Sequence, residues 1–154
     1  MKFPYYPYSR EHIIGAREGV LYKPVVPIVV HGPGGVFGFN ALADTGADQI
    51  LFPSYIASYV GISLEQRNSA HVTGVGENRV KIFFAEGLEL GLQSDGQAYR
   101  WPARVWFSDS DDSPALLGHI DFLQFFTSIF DGKNHELMLE PSSDFPGRLV
   151  DLWK

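Results

Sequence analysis

Apolar residues recur at every second position over two long stretches, the period of a strand with one buried face. In the first, Val80, Ile82 and Phe84 lead on to Leu88, Leu90 and Leu92, with Glu86-Gly87 interrupting as a bend or bulge. In the second, Tyr99, Trp101, Ala103, Val105 and Phe107 alternate with their neighbours, and Pro102, on the other face, marks a sheet edge. Ser94-Asp95-Gly96 between them is a turn. Earlier, residues 23–30 and 36–43 read as two arms of a hairpin around His31-Gly32-Pro33-Gly34-Gly35. A further hairpin is expected from residues 70–75 and 79 onward, joined by Gly76-Glu77-Asn78, and a last one from 127–131 and 135–140 around Gly132-Lys133-Asn134. Ile50-Leu51-Phe52 and Ala115-Leu116-Leu117 are short buried strands. Pro53 opens a helix that runs through Val60 and stops at Gly61, and a second helix is expected over about 119–126. The pattern predicts an all-β chain, a small closed barrel with two short helices.

The ends read differently. Met1-Lys2-Phe3-Pro4-Tyr5-Tyr6-Pro7-Tyr8 opens an aromatic, proline-rich extension over residues 1–22, unable to start as a helix and expected either as a strand along the body or partly loose. Residues 142–154 form a tail whose Arg148-Leu149-Val150-Asp151-Leu152-Trp153 is apolar enough to dock. With 154 residues, 45% hydrophobic and 19% charged, the chain has the material for one globular domain with a real core. A formal charge of −6 argues against nucleic acid as the partner. No apolar run reaches membrane-spanning length, the N-terminus lacks the apolar segment of a signal peptide, and cytoplasm is the default expectation. The absence of cysteine excludes disulfides and thiolate chemistry.

Chemistry concentrates in Phe39-Asn40-Ala41-Leu42-Ala43-Asp44-Thr45-Gly46-Ala47-Asp48, an apolar strand running into a carboxylate, a hydroxyl and a glycine. Gly46 is expected to supply backbone angles that a side chain forbids, and Thr45 a hydroxyl beside the acid. Asp and Gly also make ordinary strand-to-strand turns, and a chance Asp-Thr-Gly is expected in roughly 3% of chains this size. Two further segments bear on the choice. Ala115-Leu116-Leu117-Gly118 precedes His119-Ile120-Asp121-Phe122-Leu123, and Val72-Thr73-Gly74-Val75-Gly76 lies between. Taken in this order, the three segments resemble the catalytic loop, the apolar-apolar-glycine segment behind it and the flap of the retroviral-type (retropepsin-like) aspartic proteases.

That resemblance implies the retropepsin-like fold over residues 23–141 and peptide hydrolysis by a carboxylate pair. The chain holds one Asp-Thr-Gly and is about one lobe in length, so the pair requires a homodimer with one Asp44 from each subunit. Asp44, Thr45 and Gly46 would be the catalytic loop, Thr45 fixing the two loops across the axis. Ala47, Asp48 and the flap residues Gly74, Val75 and Gly76 would meet substrate, and apolar walls near Ile50, Phe52, Val75, Ile82 and Leu117 favour hydrophobic residues flanking the cut. His119 stands where the family often carries an arginine paired with the acid at the position of Asp48, which leaves two readings open: a pH-dependent His119–Asp48 pair, or an exposed His119 that caps or flanks the following helix. Two other readings compete: a peptide-binding module on the same scaffold that does not cut, and a small β-barrel binding protein with a chance motif. No cofactor or metal is expected, because His12, His31, His71, His119 and His135 lack ligand spacing, and Asp109, Asp111 and Asp112 lack a calcium-loop pattern. Gly32-Pro33-Gly34-Gly35 lacks the Lys-Ser/Thr of a phosphate loop.

Overall fold

The computed structural model describes residues 1–9, 19–73 and 79–150. Strand β1 is Lys2–Pro4, β2 Tyr6–Ser9, β3 Val20–Lys23, β4 Val25–Gly32, β5 Gly35–Ala43, β6 Leu51–Phe52 and β7 Ser69–Thr73. After them come β8 (Arg79–Ser94), β9 (Gln97–Ser108), β10 (Leu116–Leu117), β11 (Phe126–Asp131), β12 (Glu136–Pro141) and β13 (Arg148–Val150). Helix α1 is Ser54–Tyr59. Hairpin turns join β4 to β5 and β8 to β9, as the glycine and Ser94-Asp95-Gly96 signals predict. The short strands then close the sheet. β9 pairs in parallel with β6, β6 antiparallel with β10, and β10 in parallel with β5, while β4 pairs with β8 and β8 with β9. The pairings return to their start, so the sheet is a ring with β7 and β13 added at its margins.

Inside the ring lie Trp101, Phe52, Phe107, Ile28, Leu88 and Leu90, all fully buried. Each such side chain contributes about 1.5–3 kcal/mol by leaving water. The extension expected at the N-terminus supplies β1, β2 and most of β3. β1 pairs with β12 and buries Phe3 in the core, and β2 pairs with β3 as a separate hairpin. At the other end β13 lies along β9, and residues 151–154, which include the expected docking residues Asp151, Leu152 and Trp153, lie outside the described residues. Among the described residues no helix is long and apolar enough to cross a membrane.

The alternation in β8 holds, but its single buried face does not. The register slips between Ala85 and Leu88, and Gly87 takes a φ of +79°. One extra residue transfers every following side chain to the opposite face. Leu88, Leu90 and Leu92 therefore point into the core, whereas Val80 and Ile82 line an external cleft and Phe84 packs on Trp106 with ring centroids 5.0 Å apart. Ala85 takes the core position expected of Phe84.

Helix α1 ends as predicted, with Gly61 at φ +76° against Gly34 of the β4–β5 turn; a Cβ on Gly61 would stand 2.5 Å from the Gly34 Cα. The second helix is corrected. Residues 119–122 form a turn and only Leu123–Phe125 make a 3-10 turn. Asp121 sits at φ +64°, outside the right-handed helical region, with its carboxylate bonded to Arg104. Phe122 and Phe126 then turn inward against Trp101.

Candidate active site

At the end of β5, neighbouring segments hold the backbone from both sides. Leu42 N–H donates to the Ala115 carbonyl at 2.8 Å, Ala43 N–H to the Pro24 carbonyl at 2.9 Å, and Asp44 N–H to the Leu117 carbonyl at 3.0 Å. Because β10 lies between β5 and β6, the chain from Asp44 to Ile50 must wrap around the end of β10 to reach β6. The wrap is pinned from below. His119 N–H donates to the Ala47 carbonyl at 3.0 Å and Ile120 N–H to the Asp48 carbonyl at 2.8 Å. Gly118 runs directly beneath it. A Cβ there would meet the carbonyls of Gln49 and Ala47 and come 2.7 Å from the Gln49 nitrogen, all of them backbone atoms.

Asp44 is half-buried, and its Oδ1 accepts the Gly46 N–H at 2.8 Å. Thr45, Gly46 and Asp48 are exposed and Ala47 half-buried. Gly46 does not take the left-handed conformation expected of it. A Cβ at 46 would instead lie 3.2 Å from Asp44 Oδ1, so glycine leaves room for its own N–H to reach the carboxylate. Of the two readings of His119, the ion pair with Asp48 is absent among the described residues. The His119 ring reaches the carbonyl of Thr45, Nε2 to O 3.0 Å. A carbonyl only accepts, so Nε2 carries the proton. The histidine thus fastens the backbone of the Asp44 loop rather than the side chain of Asp48.

The loop opens onto a cleft of about 820 Å³. Asp44, Ala47 and Asp48 line one part of it, Val72, Val80 and Ile82 from the β7–β8 hairpin another. The arms of that hairpin pair from Ser69–Phe83 to Thr73–Arg79. Gly74, Val75 and Gly76, expected at its tip, lie outside the described residues. Of the expected apolar walls, Ile82 lines the cleft, while Ile50, Phe52 and Leu117 face the core. Their neighbours Leu51 and Leu116 take the wall instead, as strand alternation requires. Lys23, Leu42 and Trp106 line the cleft as well and carry no motif that would announce it. Among the described residues no group of three His, Asp or Glu side chains is placed to hold a metal ion.

A scan against protein-family models and a search of curated proteins found no match for this chain.

Proposed function

We propose that the protein is an aspartic endopeptidase of retropepsin-like fold, in which Asp44 from each subunit of a homodimer forms the catalytic pair. The observation that carries this reading is the setting of Asp44. It is a half-buried carboxylate at a strand end, oriented by the Gly46 N–H, in a loop tied to β10 and to residues 118–120, at an apolar-walled cleft. Two carboxyl groups about 3 Å apart cannot both ionise, so one stays protonated at the pH where its partner is charged. The charged member removes a proton from the attacking water, and the protonated member hydrogen-bonds the scissile carbonyl as its oxygen gains charge. The titration belongs to the pair rather than to either residue.

Thr45 is exposed beside Asp44, where it can bond the partner's loop across a two-fold axis. Asp48 is exposed at the cleft and accepts main-chain N–H groups of an extended peptide. Ala47 lines the cleft between Asp44 and Asp48, where substrate would pass. The segment joining β7 to β8 carries Gly74, Val75 and Gly76, to which the resemblance gives the role of a flap. Leu51, Ile82, Leu116 and Trp106 favour hydrophobic side chains beside the cut.

Asp44→Asn tests the mechanism. An amide can neither accept the water's proton nor share one, so cleavage of a quenched peptide mixture should fall by about 10³-fold or more with the circular dichroism spectrum unchanged. A folded variant that cuts as fast as the parent would exclude the mechanism. A parent that binds a statine-type peptide but cuts nothing between pH 4 and 8 would assign the site to a peptide-binding module.

A further inference from the structure

We propose that His119 is a positioning residue: it locks the peptide between Thr45 and Gly46 in the orientation that aims the Gly46 N–H at the Asp44 carboxylate. This rests on the catalytic reading of Asp44 and adds the group that holds the acid in place. Two hydrogen bonds joined by one peptide are the first argument. His119 Nε2 donates to the Thr45 carbonyl at 3.0 Å, and the Gly46 N–H donates to Asp44 Oδ1 at 2.8 Å. That carbonyl and that N–H belong to the same planar unit and point to opposite sides of it. A donor on the oxygen therefore fixes the direction of the N–H and polarises it toward the acid.

The second argument is the turn in which this peptide lies. Ala47 N–H donates to the Asp44 carbonyl at 3.2 Å, closing a four-residue turn with Thr45 and Gly46 at its centre. Such a turn has two common arrangements, related by a flip of the central peptide. One keeps its third residue at negative φ and the other takes that residue to about +80°. Glycine enters either one without steric cost, so residue type does not choose between them. Gly46 lies outside the left-handed region, which excludes the flipped arrangement. A flip would turn the Gly46 N–H away from Asp44 and the Thr45 carbonyl away from His119. The bond to Asp44 guards against this only while the acid is charged, because a protonated carboxyl is the weaker acceptor. The bond from His119 does not depend on that charge.

The third argument is that the ring is itself anchored. The His119 N–H donates to the Ala47 carbonyl at 3.0 Å, and the His119 carbonyl accepts the Gln124 N–H at 3.0 Å. One residue thus holds the turn at two carbonyls, Thr45 by its side chain and Ala47 by its backbone. Nε2 carries a proton in the tautomer required here and in the charged ring alike, so a change of charge on the imidazole leaves the lock closed.

The experiment compares His119→Phe, which keeps a ring and removes the donor, with His119→Gln, whose amide nitrogen donates from a similar reach. Both leave the backbone bonds of residue 119 in place. Kinetics are measured on one quenched peptide, at concentrations where mass measurement shows parent and variants as dimers. His119→Phe should lower kcat by about three- to tenfold with KM within about twofold of the parent. The acid limb of its kcat/KM profile should move up by about half a pH unit, because the ionised acid is less well served by its donor. His119→Gln should recover most of both. Lys23 and Asp48, the other charged residues lining the cleft, are the same in all three proteins. The Gly46 amide proton, followed by NMR, reads the lock without catalysis: it should move upfield in His119→Phe and stay near the parent position in His119→Gln. If the parent cuts nothing and that proton moves in His119→Phe alone, the lock stands and the peptidase is discarded. If the parent cuts and both variants match it in kcat and in the Gly46 resonance, the lock is overturned and the peptidase stands. No cleavage and no movement discard both. Equal losses in the two variants would make His119 a packing residue and overturn the lock. A looser dimer whose kcat is unchanged once dimers are restored would place His119 at a subunit contact and overturn it as well.

Discussion

Asp121 directly follows the segment that pins the Asp44 loop, and four hydrogen bonds fix it in place. Its carboxylate receives Nε and Nη2 of Arg104 at 2.8 and 2.9 Å and the Arg104 backbone N–H at 2.8 Å, and its carbonyl receives the buried Trp101 Nε1 at 2.9 Å. The acid's side chain is 7% exposed, the arginine's 56%. Side-chain hydrogen bonds from Arg104 hold the Asp121 carboxyl below the usual carboxylate range, against the opposing effect of burial. Asp121→Asn tolerates the positive φ but removes the charge, and should cost about 2 kcal/mol in urea unfolding. A depressed folded pKa contributes stability that is fully present above the unfolded value near 3.9 and is lost as pH falls through the folded value. The gap between parent and variant should therefore be constant from about pH 5 to 8 and close at lower pH; an equal gap at about pH 2 would assign it to packing. Nothing local in the sequence announces this residue, because Asp121 lies in a turn and its partner stands 17 positions earlier on β9. The same holds for His119. Its closeness to the loop follows from Ala115-Leu116-Leu117-Gly118, but its hydrogen bond to the Thr45 carbonyl rather than Asp48 depends on how the loop wraps.

Among the elements, β10 and the residue after it organise the site, since the loop from Asp44 to Ile50 has backbone contact on both sides. Gly118→Ala places a methyl group against three backbone atoms that cannot rotate away, so the loop must lift. The expected loss is about 2–3 kcal/mol of stability. Gly132→Ala, whose Cβ would meet nothing within 4 Å, should stay within about 0.5 kcal/mol of the parent. Equal melting temperatures for the two variants would refute the close packing beneath the loop. Elements defined by near neighbours were legible: the β4–β5, β8–β9 and β11–β12 hairpins from alternation and turn residues, and the end of α1 from Gly61. The face of β8 was not, because alternation fixes a period but not where an extra residue shifts it. The wall residues follow the same logic. Apolar Ile50-Leu51-Phe52 and Leu116-Leu117 mark short strands, but which members face the cleft depends on pairing with β9 and β5. Ring closure likewise joins β9 to β6 and β10 to β5, segments separated by long stretches of sequence.

For the whole molecule, the decisive question is whether one polypeptide can act alone. The sequence carries one Asp-Thr-Gly, and the chemistry of a carboxylate pair needs two. If each active site takes one Asp44 from each subunit, activity is a property of the pair of chains and obeys the statistics of their mixing. Parent and Asp44→Asn chains, exchanged at equal amounts under mildly dissociating conditions and returned to assay buffer, should form about one quarter parent dimers, one half mixed dimers and one quarter variant dimers. Only the first class holds two carboxylates. Activity should then fall to about one quarter of that of the same total amount of parent, whereas a site complete within one chain leaves about one half. Dilution supplies an independent check, since activity per chain should drop once the concentration passes below the dimer dissociation constant and should recover on concentrating. Mass measurement across the same dilution must show dimers giving way to monomers in step with that loss. Activity that follows the one-half line and stays constant per chain on dilution would mean that Asp44 works without its copy, and the proposed carboxylate pair would have to be abandoned.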